Sequence, residues 1–92
     1  MTNQYGYQEV KQLTSEVSWM ISKSEPQYDE TGKVEYHMFS GNLPGMMRHQ
    51  VSHFLSTLNS DDGTTYTFMS GEKLIRIGDY NGKTYLDWRK VL

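Results

Sequence analysis

"TTYTFMSGEKLIRIGDYNGKTYLDWRKV", residues 64–91, decides the fold. Its runs 64–70, 73–79 and 83–91 are rich in β-branched and aromatic residues, and short polar breaks separate them. Such side chains suit a pleated, half-buried surface, so the runs read as strands. Asn81–Gly82 is the strongest turn signal. A two-residue type I′ turn needs positive φ at both central positions, which Asn-Gly supplies at little cost. Ser70–Glu72 makes the other turn, and the stretch predicts a three-strand antiparallel meander.

Alternation then assigns the faces, because successive strand side chains point to opposite sides. Tyr66, Phe68, Ile75, Ile77, Leu86 and Trp88 are expected to face a core. Thr65, Thr67, Met69 and Leu74 are expected to face away. Arg76, Lys83, Tyr85 and Arg89 fall on that same outward side.

Upstream, residues 43–60 predict the main helix. Pro44 suits a first turn, and Asn42 is expected to cap it. Met47, Val51, Phe54, Leu55 and Leu58 form an apolar stripe at helical spacing. The N-terminal part reads two ways, since Val17, Met20 and Ile21 fit a helix while Val17, Trp19 and Ile21 alternate like a strand. We expect a short helix near 6–14, a strand near 16–24, a long turn over 25–33 and a strand near 33–40. The fold class is therefore α+β. Residues 1–92 form one small domain, with an antiparallel sheet of four or five strands and one main helix packed on one face.

Composition agrees with a folded domain of modest core. Leu, Ile, Val and Phe number 18 of 92, about the fraction at which disorder competes. A net charge of only −2, together with seven Tyr, three Phe and two Trp, argues for folding. The chain has no Cys, which excludes disulfides, thiolate zinc sites and a Cys nucleophile. No signal peptide or membrane-spanning stretch is apparent, so the expected location is cytoplasmic, with no membrane partner.

The sharpest chemical feature is the pair His49 and His53, at i and i+4 in the predicted helix. Zinc sites often start this way, but the metalloprotease pattern needs Glu directly after the first His, and Gln50 stands there. The pair also lies opposite the apolar stripe, which reads as a solvent-facing side. "NSDDGTT" (59–65) fails as a calcium loop, because Gly63 comes one place early and Ser70 stands where the bidentate Glu belongs. No Gly-x-Ser-x-Gly and no phosphate-binding glycine loop occurs. No catalytic residue, metal or cofactor is expected, and the protein is expected not to be an enzyme.

What remains is the outward face of the meander. Arg76, Lys83, Tyr85 and Arg89 combine charge with an aromatic ring, and Arg and Tyr are enriched at binding hot spots. The leading expectation is a small inhibitor or adaptor that docks on a larger protein or ribonucleoprotein. By size and lack of motif, a phage or mobile-element counter-defence protein of the anti-CRISPR kind is one instance. The alternative is a nucleic-acid-binding domain using the same face, by stacking and phosphate neutralisation. A homodimer would let so thin a core bury more apolar surface.

Overall fold

A computed structural model of the chain describes residues 6–91. It contains a five-strand antiparallel sheet and two helices, an α+β fold. In chain order the elements are α1 (Ser15–Lys23), β1 (Glu25–Tyr28), β2 (Val34–Gly41), α2 (Gly45–Leu55), β3 (Thr65–Ser70), β4 (Lys73–Tyr80) and β5 (Lys83–Lys90). The strand order is β1-β2-β5-β4-β3, so the N-terminal hairpin adds to the last strand of the meander.

The meander forms as its turn chemistry requires. Asn81 and Gly82 have φ of 52° and 77°, the signature of the expected type I′ turn. Phe68 pairs with Ile75, Ile77 with Leu86, and Ile75 with Trp88, all on the inner face. Phe68, Ile75, Ile77 and Leu86 are fully buried there.

The N-terminal third differs from expectation. Residues 16–24, expected as a strand, lie almost wholly in α1, and residues 6–14 are not helical. The Thr14 hydroxyl caps α1 by accepting the Val17 N–H at 3.3 Å. Val17 and Met20 are then completely buried at i and i+3. Trp19, which the alternation would have buried, is 40% exposed and meets Phe39 edge-on at 5.6 Å. Pro26 stops the helix, because a residue preceding proline is pushed to extended backbone. The segment expected as one long turn therefore opens with β1.

Residues 8–10 run beside β3 instead of forming a helix. Val10 N–H donates to Met69 O at 2.8 Å, and Met69 N–H donates to Gln8 O at 2.9 Å. This covers part of an edge that would otherwise offer free backbone groups. Helix α2 starts at Gly45 with Pro44 as its N-cap and no side-chain cap, so Asn42 does not take the expected capping role. At its other end, Ser56 and Thr57 hydroxyls donate to His53 O and Phe54 O, competing for the carbonyls a longer helix would use.

Both helices lie on the inner face. Helix α1 contacts β2 and β5, and α2 reaches β3 through Phe54, whose ring meets Phe68 at 5.8 Å. Arg48 of α2 ties to Asp79 of β4 at 3.0 Å. No helix crosses the outer face of the sheet among the described residues.

Two carboxylates organise the connecting turns. Asp29 accepts the Thr31 hydroxyl and the Thr31 and Lys33 N–H groups, while Asp62 accepts from Thr64 and Thr65. These bonds hold both acids below the ordinary value of 3.8, led by the Thr31 hydroxyl for Asp29 and the Thr64 N–H for Asp62. A carboxyl lowered by folding adds stability that is present above its unfolded value and lost as pH falls through the folded one. The urea midpoint should therefore drop between about pH 5 and about pH 3, and an Asp29→Asn, Asp62→Asn double variant should drop less. Equal drops in urea titrations of both proteins would remove these turns as the acid-sensitive elements.

Candidate functional site

Registers set the outer face in rows. Asp87 lies between Met38 and Arg76, and Tyr85 lies between Ser40 and Gly78. Arg89 pairs with Leu74, and Lys83 pairs with Tyr80. Arg76, Lys83, Tyr85 and Arg89 thus share the outer face across β4 and β5.

Arg76 is not a bare cation. Its Nε and Nη2 both donate to one Asp87 oxygen, at 3.1 and 2.8 Å. The Asp87 hydrogen bond, then its charge, raises the Arg76 pKa above the ordinary value, so the guanidinium stays charged. Arg76 is 57% exposed while Asp87 is only 20% exposed, so the pair presents mainly its cationic partner to solvent. Arg89 lies over the Tyr36 ring at 5.8 Å, a cation–π geometry that props the guanidinium above the sheet.

Between these charges is a groove of about 490 Å³. Met38, Gly78, Tyr80 and Tyr85 line it, with Arg76 and Asp87 at its side. Gly78 interrupts β4 and leaves a gap in the row of side chains. The Tyr80 ring folds into that gap, 3.0 Å from where a Cβ on Gly78 would stand. A hydrogen bond of 3.0 Å between Tyr80 OH and Thr65 Oγ1 holds the ring, and its centroid is 5.7 Å from that of Tyr85. Glycine in a strand interior often marks such a close approach. Tyr80 stays 49% exposed, so the two rings present apolar surface to solvent along the groove.

Sequence reasoning missed Tyr80, Met38 and Tyr36. Tyr80 shares the parity of Arg76 and was legible in principle. Met38 and Tyr36 join the site only through the β2–β5 pairing, which no local pattern announces.

The histidines part company. His49 and His53 are both exposed on α2, and among the described residues no group of three His, Cys, Asp or Glu could hold a metal. His37 is on the inner face instead, stacked on Trp88 at 4.1 Å and 5°. Lys73 Nζ sits 5.2 Å from the same indole, whose Nε1–H donates to Ser24 Oγ at 2.8 Å. His37 therefore serves packing, although its buried Nδ1 has no partner. No helix among the described residues is long and apolar enough to cross a membrane.

The chain matches no family model, no curated protein and no solved structure.

Proposed function

We propose that this is a non-enzymatic binding protein, an inhibitor or adaptor that docks the outer face of its sheet on a larger protein or ribonucleoprotein. One observation carries the reading: both helices occupy the inner face, and the outer side, covered only at its β3 end, bears an aromatic groove beside exposed arginines. Apolar surface rimmed by polar groups is the usual anatomy of an interaction patch. Tyr85 and Tyr80 supply contact area at low entropic cost, and Arg76 and Arg89 supply forked donors for carboxylate or phosphate. A counter-defence inhibitor of the anti-CRISPR kind is an instance of this class.

A protein surface fits better than a nucleic-acid strand. Asp87 sits mid-face and engages Arg76, while Glu25 shares the row of Met38. A phosphate backbone would meet those acids directly, whereas a protein can answer both signs.

The test is affinity purification of the tagged chain from native host cells, with and without nuclease. A stoichiometric protein that survives nuclease is the expected result. Nucleic acid recovered alone, and lost on nuclease treatment, would replace this reading with direct nucleic-acid binding.

A further inference from the structure

Asp62–Gly63 and Asn81–Gly82 each place a glycine directly after a side-chain carbonyl, and the fold treats the two turns in opposite ways. We infer that Asn81 is a site of spontaneous modification, closing a succinimide with Gly82 that opens to aspartate or isoaspartate. Asp62 is held out of the same chemistry.

The reaction needs a free nucleophile and an untethered side chain. Gly82 N loses its proton and attacks Asn81 Cγ. The new C–N bond closes the ring, and the side-chain nitrogen takes up a proton and leaves as ammonia. Water then adds to either ring carbonyl. Opening on one side gives aspartate, and on the other the chain runs through Cβ as isoaspartate.

Asn81 meets both needs. It is exposed, and among the described residues neither its side chain nor the Gly82 N–H makes a hydrogen bond. Gly82 also brings no Cβ to shield its nitrogen. Ring closure rotates the central peptide of the turn, from the type I′ to the type II′ form. Both forms fit a two-residue hairpin and both keep the positive φ of Asn81, which is already 52°. Only Gly82 changes the sign of its φ, which glycine does at little cost. Arg48 Nη1 lies 3.7 Å from where a Cβ on Gly82 would stand, so a cation borders the nitrogen as it becomes anionic. Asp79, bound to Arg48 Nη2, offsets part of that field.

Asp62 fails both needs. Its Oδ1 accepts the Thr64 N–H, the Thr64 hydroxyl and the Thr65 N–H, bonds that keep the carboxylate ionised and without a leaving group. The Gly63 N–H is engaged too, donating to Ser60 Oγ at 3.0 Å. Asn42 precedes Leu43, which is fixed in the core at 7% exposure. Asn59 precedes Ser60, and Gln8 clasps its backbone at both N–H and carbonyl.

The product matters for the outer face, because Asn81 lies between Tyr80 and Lys83, which pair across the turn. A carboxylate there offsets the Lys83 charge, and isoaspartate lengthens the turn that seats the Tyr80 ring. This consequence rests on the docking function proposed above, whereas the chemistry stands apart from it.

The experiment ages the full chain for weeks at neutral pH and body temperature. Alongside it run a peptide of residues 78–85 and the full chain unfolded in guanidinium chloride. Peptide mapping by mass spectrometry, with fragmentation that separates isoaspartate from aspartate, reads each site. Asn81 in the folded chain should convert within about thirtyfold of the peptide, a barrier difference of about 2 kcal/mol. It should also run at least about tenfold ahead of Asn42 and Asn59. Asp62 should isomerise in guanidinium chloride and stay intact in the folded chain. A slower Asn81, or one no faster than Asn42 and Asn59, would overturn the site. Equal isomerisation of Asp62 in folded and unfolded chains would overturn the protection assigned to its turn.

Discussion

Phe68→Ala is expected to remove a large part of the protein's stability and to lower its Tm by at least about 12 °C. Phe68 is fully buried on the inner face of β3, pairs with Ile75, and meets the Phe54 ring of α2 in a T-shaped contact. Truncating a buried Phe to Ala costs about 3–5 kcal/mol, from lost transfer energy plus the cavity left behind. A domain of this length has about 5–14 kcal/mol in total. At about 4–8 °C per kcal/mol, Tm should fall by at least about 12 °C. Val51 of α2 is buried in the same core with Met47 and Leu55 packed against it, so α2 keeps part of its seat on the sheet once the ring is gone. Phe68→Leu keeps most of the volume and should cost about 1–1.5 kcal/mol. Chemical denaturation of the three proteins decides it. A loss below about 1.5 kcal/mol for Phe68→Ala would mean that α2 collapses onto the sheet without this contact.

The same residue shows why the C-terminal half was legible. Its strands are joined by tight turns whose chemistry is local, so alternation alone puts Phe68, Ile75, Ile77 and Leu86 on one face, and the registers agree. Residues 15–28 resisted because two periods overlapped on Val17 and Ile21. Tertiary packing chose the helical set, burying Met20 and leaving Trp19 half out. Strand β1 was hidden by its own Pro26, which reads as a turn but is tolerated on an edge strand. For the candidate site, parity sufficed to gather Arg76, Lys83, Tyr85 and Arg89. It carried no information on β2, so Met38 and Tyr36 were invisible. Asp87 was legible as a nearby acid, but only the register makes it the direct cross-strand partner of Arg76.

That partnership governs the second large effect. Replacing Arg76 and Arg89 together by Ala is expected to abolish partner capture while the fold persists. Arg76 is mostly exposed, and an exposed ion pair contributes about 0–1 kcal/mol to stability because solvent screens it. Arg89 over Tyr36 adds a contact of about 0.5–1 kcal/mol at such an exposed site. The double variant should therefore lose about 0.5–2 kcal/mol of stability, and adding Asp87→Asn should recover the part due to the orphaned carboxylate. Binding is different, because a partner would desolvate these groups. Each buried Arg anchor is then worth about 2 kcal/mol or more, so losing both weakens affinity about a thousandfold. Arg76→Lys with Arg89→Lys separates charge from geometry. Lysine restores the positive charge but not the planar fork, so capture should return only in small part if carboxylates are held bidentately. Pull-down of the identified partner, beside urea melts of each variant, reads both quantities. Capture unchanged in the double alanine variant would move the interface off the outer face.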